Sequence, residues 1–131
     1  MKKLWISLVV LVAIALVAGG VGMLPNKTNA DACSKPSGKG QSYSVMIMDG
    51  KVEPAGTVTA KLCDTLTITN MDSEAREIAF GPHEQHVPYD GVAEKVLNKD
   101  QSLTITLNKA GTYHWHDHEH DEVEGYFKVA G

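Results

Sequence analysis

The histidines of this chain have the spacing that most clearly suggests chemistry. Four of the six alternate with other residues in one segment, and two lie three positions apart upstream. Alternate residues of a strand share a face and lie about 6.5–7 Å apart, so neighbouring imidazoles can bind one ion through bonds of about 2.0 Å. The pattern predicts a divalent-metal site with these candidate ligands: His83, His86, His114, His116, His118 and His120.

Carboxylates surround these histidines and lower the cost of holding a cation. Glu84 lies between the upstream pair, and Asp117 and Glu119 alternate with the downstream histidines. These three are predicted as auxiliary ligands. The alternative is an exposed histidine-rich turn that serves solubility or pH response, since a histidine-rich tract is only a compositional signal and grouped imidazoles change charge between about pH 5 and 7.

Short β-strands are the elements that must position these side chains. The segments are rich in β-branched residues, alternate in polarity and are separated by Gly-, Asn-, Asp- and Pro-containing turns, and no sustained helical period follows residue 24. Seven or eight such strands indicate an all-β sandwich of about immunoglobulin size. The predicted strands cover 44–48, 57–62, 65–69, 76–80, 103–107, 112–116 and 126–129. Within 112–116, Tyr113 and Trp115 are expected in the core, and His114 and His116 on the outer face.

The N-terminal segment differs from the rest of the chain. After Lys2 and Lys3, the 21 residues from Leu4 to Leu24 carry no charge, which is long enough to cross a bilayer core. Residues 1–24 are therefore predicted to form a helix that is either a cleaved signal peptide or a retained membrane anchor. Residues 25–41 are predicted as a linker and residues 42–131 as the exported domain, in the periplasm or at the cell surface.

The two cysteines are interpreted in the light of this export. Outside the cytoplasm, Cys33 and Cys63 are expected to form a disulfide. The alternative is that both are thiolate metal ligands, but their separation lacks the C-x-x-C spacing of such sites.

Other function classes find little support. The formal net charge is −4, and no basic run beyond the first residues would attract nucleic acid. No G-x-S-x-G nucleophile motif or glycine-rich phosphate loop occurs. The chain is therefore not expected to be an enzyme.

A family resemblance appears in the last part of the chain. The segment 111–115 (GTYHW), followed by Asp117, His120, Gly125 and Val129, is similar to the last hairpin of the blue-copper proteins, or cupredoxins, in particular the amicyanin- and plastocyanin-like members. Segments 64–70 and 76–80 resemble the strands that lead to the first copper histidine of that family. The resemblance covers about residues 45–129 and implies a Greek-key β-sandwich of seven to eight strands.

The copper ligands of that family are largely replaced. Cupredoxins bind type 1 copper through two histidines, a cysteine and a weak axial methionine. By the flanking pattern, Arg76 stands at the first histidine, Asp117 at the cysteine and Val123 at the methionine, and only His120 keeps its type. Without a thiolate no blue centre is expected. Arg76 and Asp117 are predicted to form a buried ion pair instead, since either charge buried alone would be costly.

The resemblance also suggests where a metal binds. It places the loop with His83 and His86 beside His116, with His114 or His118 next along that face, and leaves His120 either in this group or with Asp117. Cu(II) is the favoured ion because it heads the Irving–Williams order, and Zn(II) is the other candidate.

The leading hypothesis is an exported cupredoxin-like protein for metal storage, delivery or sequestration, with a membrane or extracytoplasmic metal-handling or redox protein as partner. An uncleaved N-terminal segment would add the membrane itself. The alternatives are an electron-transfer protein with a modified, non-blue copper centre and a metal-free interaction module.

Overall fold

A computed structural model describes Cys33 and residues 40–131. Within this part of the chain, nine strands follow one another and no helix has the length and apolar character that a membrane crossing requires. The predictions for residues 1–24 and for most of the linker lie outside the described residues. The strands are β1 (Ser42–Met48), β2 (Lys51–Glu53), β3 (Thr57–Lys61), β4 (Thr65–Asn70), β5 (Arg76–Phe80), β6 (Lys95–Leu97), β7 (Ser102–Thr106), β8 (Gly111–Asp117) and β9 (His120–Ala130).

The strands form two sheets, which confirms the predicted all-β sandwich. One sheet has the order β2-β1-β4-β7 and the other β3-β9-β8-β5-β6. The pairs β1–β4 and β3–β9 are parallel, and the other pairs are antiparallel. All seven predicted strands are present, and β2 and β6 are additional. These two have three residues each, too few to show a period-2 pattern.

The core lies between the sheets and follows from the alternation of the strands. In β4, Leu66 and Ile68 are fully buried, while their neighbours are partly exposed. In β8, Trp115 is buried in the core and packs against Gly125 of β9, where a Cβ atom would come within 2.5 Å of the indole. Gly125 therefore makes room for the indole. Because Trp115 points inward, His114 and His116 lie on the outer face, as predicted.

Cys33 and Cys63 form the predicted disulfide, with their Cα atoms 5.1 Å apart. The two sulfur atoms are therefore bonded to each other, and neither is available as a thiolate ligand for a metal. Next to this bond, the buried Asp64 carboxylate accepts hydrogen bonds from the backbone N–H groups of Gln41 at 2.7 Å and Lys61 at 2.8 Å. The disulfide thus ties the segment before β1 to the turn between β3 and β4.

Candidate metal centre

A loop after β5 brings the upstream histidines onto the sheet. The turn begins at Gly81, whose φ of +84° lies in the left-handed region. A Cβ atom at this position would also lie only 3.1 Å from the backbone nitrogen of Val87. Gly81 N–H donates to the carbonyl of His114 at 2.9 Å, and Val87 N–H donates back to Phe80. The loop is therefore folded over the outer face of β8, which places His83 and His86 beside His116.

Four histidines meet at this point and form what we call the four-histidine cluster: His83, His86, His116 and His118. Each offers one ring nitrogen such that the four atoms lie within 4.8 Å of one another. The two loop rings lie 5.5 and 5.2 Å from the His116 ring and 4.9 and 4.7 Å from the His118 ring, between centroids. This spacing fits imidazoles that surround a single ion.

His116 is the buried member of the cluster. It is 1% exposed, and neither of its ring nitrogens has a hydrogen-bond partner. Burial lowers its pKa below the ordinary value, and the nearby imidazoles of His114 and His86 lower it further. A buried polar group without a partner costs about 1–3 kcal/mol. A neutral, unpartnered imidazole facing three others is the donor that a metal ion requires.

Carboxylates lie behind the two loop histidines. Asp121 Oδ1 is 2.6 Å from His83 Nδ1, and Glu94 Oε1 contacts His86 Nδ1. The hydrogen bond with His86 lowers the pKa of Glu94 and outweighs the small effect of burial. A carboxylate that holds Nδ1–H fixes the tautomer and leaves Nε2 free for a metal. Consistent with this, His86 Nε2 points at His118 Nδ1, 3.2 Å away.

His114 lies next to the cluster but is not part of it. Its ring stacks on His116 with 5.4 Å between centroids and on Tyr126 with 4.7 Å. Its Nδ1 lies 3.2 Å from the Gly81 carbonyl, and its Nε2 lies 2.8 Å from Glu124. Both ring nitrogens of His114 therefore already have polar contacts. Of His114 and His118, the two candidates for the next position along this face, His118 is the one that joins the four-histidine cluster.

His120 lies on the other side of the hairpin. The chain reverses between Asp117 at the end of β8 and His120 at the start of β9, and these two residues pair with each other. Residues paired across two strands point to the same face of the sheet. Because Asp117 points inward, His120 does too, and its Nδ1 lies 3.3 Å from Asp117 Oδ2. The alternation that relates His114, His116 and His118 therefore ends at the turn.

The auxiliary carboxylates of the sequence prediction have different places. The Asp117 carboxylate accepts a hydrogen bond from Arg76. The backbone N–H of Glu119 donates to Asp117 Oδ1 at 3.3 Å. Glu84 is an exposed residue of the loop. Glu94 was not predicted because it lies in irregular chain, with no strand or helix period to relate it to His86.

The positions matched to type 1 copper ligands contain an ion pair instead. Arg76 Nη1 donates to Asp117 Oδ2 at 3.0 Å, and Nη2 donates to Asp72 Oδ2 at 2.7 Å. The Asp117 side chain is fully buried and also accepts from the Glu77 N–H. Burial opposes the charge on Arg76, but the hydrogen bonds with both carboxylates raise its pKa above the ordinary value. The predicted ion pair is therefore present.

This end of the sandwich does not fit a type 1 copper ion. A guanidinium lies against the Asp117 carboxylate, and Val123 is a buried core residue without a donor atom. Both cysteines are joined in the disulfide. The four-histidine cluster, by contrast, has the nitrogen donors that Cu(II) or Zn(II) requires.

Comparison with known proteins supports this fold. No protein-family model and no curated protein sequence matches the chain. Among solved structures, a purple cupredoxin from Nitrosopumilus maritimus is similar over 67% of this chain and 99% of its own, with 17% identity and a TM-score of 0.56. A Cu(I) form of an amicyanin variant is similar over 68% of this chain and 82% of its own, with 26% identity and a TM-score of 0.56.

A second reduced amicyanin variant is similar over 72% of this chain and 87% of its own, with 25% identity and a TM-score of 0.56. These likenesses agree with the two-sheet architecture and with the resemblance seen in the sequence. The chain therefore has a cupredoxin-like fold.

Proposed function

We propose that this protein binds Cu(II) through the four-histidine cluster and serves in the storage, delivery or sequestration of copper. The observation that carries the proposal is the convergence of four ring nitrogens within 4.8 Å around the buried, unpartnered His116. Such a cluster is costly to maintain for stability alone, because neighbouring imidazoles repel one another when protonated and His116 lacks a partner when neutral.

Copper is favoured over zinc on chemical grounds. Four imidazoles suit both ions, but Cu(II) heads the Irving–Williams order for nitrogen sites. Solved structures with a similar fold include a Cu(I) form of amicyanin, which adds an argument by analogy. Zn(II) is the competing ion, and a direct comparison of the two affinities decides between them.

Binding rather than electron transfer is the proposed activity. A blue-copper centre is based on a thiolate ligand, and both cysteines here are in the disulfide. An all-nitrogen Cu(II) centre prefers a tetragonal geometry, whereas Cu(I) prefers softer ligands, so oxidation and reduction would require rearrangement. We therefore place electron transfer through a non-blue centre second, and a metal-free interaction module third.

The location that fits this role is outside the cytoplasm. The disulfide between Cys33 and Cys63 is typical of oxidising compartments, and the uncharged run from Leu4 to Leu24 provides an export signal or anchor. We propose that a membrane or extracytoplasmic metal-handling or redox protein exchanges the ion with this domain.

Calorimetric titration of the metal-free, full-length protein with Cu(II) and with Zn(II) tests the proposal. We expect one tight equivalent, tighter for Cu(II), and no intense blue absorption. The variant H83A/H118A removes two ligands at partly exposed positions and should lose this equivalent, while the matched control H114A should keep it. Absence of saturable binding would favour the interaction module, and an intense blue band would show that a thiolate is a ligand.

A further inference from the structure

The methionines of the described chain have an unusual distribution. Met is normally a flexible filler of hydrophobic cores, yet none of the described methionines is among the buried residues of this core. Met46, Met48 and Met71 are instead 38%, 41% and 39% exposed. All three belong to the four-stranded sheet, in β1 and directly after β4, which are its two inner strands.

Strand register places these three side chains together on the outer face of the four-stranded sheet. In β1, Met46 and Met48 alternate with the buried Val45 and Ile47, so both point away from the core. Ile47 pairs with the buried Asn70 in parallel β4. Met71 follows Asn70, and its N–H donates to the Ile47 carbonyl at 2.9 Å. Met71 therefore continues the register beside Met48.

We propose that Met46, Met48 and Met71 form a second metal site, which binds a soft monovalent ion, Cu(I). Thioether sulfur is a ligand that selects Cu(I). Adjacent positions across a sheet lie about 5 Å apart and alternate positions along a strand about 7 Å. The three rotatable bonds of Met allow the sulfur atoms to converge over such distances.

The surroundings favour a monovalent ion over a divalent one. The cross-strand partners in β2 are Glu53 for Met46 and Lys51 for Met48, both exposed. Their charges cancel, and neutral thioethers add none. These partners therefore offer a divalent ion no net negative charge, whereas two carboxylates lie behind His83 and His86.

This methionine site is separate from the four-histidine cluster. The methionines lie on the outer face of one sheet and His116 on the outer face of the other, and packed sheets are about 10 Å apart. The proposal therefore does not depend on Cu(II) binding by the histidines. Together the two sites would let one domain hold copper in either oxidation state, on nitrogen as Cu(II) and on sulfur as Cu(I).

Anaerobic titration of the metal-free, full-length protein with Cu(I), in competition with a chromophoric Cu(I) chelator, tests this site. We expect M46L/M48L/M71L to weaken Cu(I) binding by about 100-fold or more, at least as much as the loss of a supporting residue at a metal site. Leu conserves volume and costs less than about 1.5 kcal/mol even in cores, so the variant should fold, which its thermal unfolding verifies. Val96→Leu, at a 52% exposed position of the other sheet, is the control and should bind normally.

Methyl NMR of the protein labelled with ¹³C-methyl methionine identifies the ligands directly, with Ag(I) as a redox-inert substitute for Cu(I). The resonances of Met46, Met48 and Met71 should shift together and saturate at one equivalent. The proposal is overturned if these resonances do not move, if the triple Leu variant binds Cu(I) like the unmodified protein, or if only H83A/H118A loses Cu(I). The last result would place both oxidation states at the four-histidine cluster.

Discussion

The Nδ1 atom of His118 lies 3.2 Å from the Nε2 atom of His86, so ring nitrogens from the β8 hairpin and from the loop after β5 face each other directly. The contact joins two segments that are distant in sequence. This contact is a hydrogen bond between two rings of the four-histidine cluster. A metal ion bound to both nitrogens would replace the proton that they share.

Replacement of His116 should weaken Cu(II) binding more than any other single histidine replacement, because it is the buried member of the cluster and neither of its ring nitrogens has a hydrogen-bond partner. We expect His116→Leu to lower the affinity by about 100-fold or more, beyond the effect of a supporting residue. The metal-free protein should not lose stability, since Leu removes a buried polar group that has no partner. Calorimetry and urea unfolding measure the two effects. An unchanged affinity would contradict the proposed geometry.

The carboxylates behind the loop histidines should tune the site without binding the ion. Asp121→Asn and Glu94→Gln remove the negative charges next to the Nδ1 atoms of His83 and His86. Such supporting groups typically contribute about 10–100-fold in affinity, and we expect a loss in this range for each variant. Glu122→Gln is the control, since the described structure gives this exposed carboxylate no hydrogen bond. Equal effects in all three variants would indicate a general charge effect.

The Arg76–Asp117 pair should stabilise the fold rather than bind metal. Asp117→Asn removes the fully buried carboxylate that faces Arg76 and leaves the guanidinium paired with Asp72, and breaking a buried pair costs up to about 3–5 kcal/mol. Arg76→Met/Asp117→Leu removes both charges and should be clearly more stable than either single variant. Denaturant unfolding of the metal-free proteins measures this. If Asp117→Asn unfolds like the unmodified protein, the pair has no structural role.

Acid should destabilise the protein partly through Asp72. Burial alone would raise the pKa of this carboxyl, but hydrogen bonds from Arg76 and from the backbone of Gly50 and Asp49 lower it below the ordinary 3.8. A carboxyl with a lowered native pKa adds stability above its unfolded pKa and loses it as pH falls through the native value.

The unfolding free energy of the unmodified protein should therefore fall below about pH 4 more steeply than that of Asp72→Asn. The difference between the two proteins isolates the contribution of Asp72. Parallel pH profiles of the two proteins in urea unfolding would contradict this assignment.

The alternation of the strands predicted the sandwich, the expected export predicted the disulfide, and the family resemblance predicted the Arg76–Asp117 pair. Strict alternation in segments such as Thr65–Asn70 identifies strands with one buried face. Two features of the site could not be predicted from the sequence and are seen only in the folded structure. The alternation of the histidines gives no sign that the chain turns before His120, and Glu94 reaches His86 only because the irregular loop returns toward β5. Neither depends on a local periodicity.

The EPR spectrum of the full-length protein with one equivalent of Cu(II) tests the central claim most directly. Hyperfine structure from several coordinated nitrogens, lost in H83A/H118A and retained in H114A, is the result that we expect. A spectrum without nitrogen coupling, or one that H83A/H118A leaves unchanged, would contradict copper binding by the four-histidine cluster.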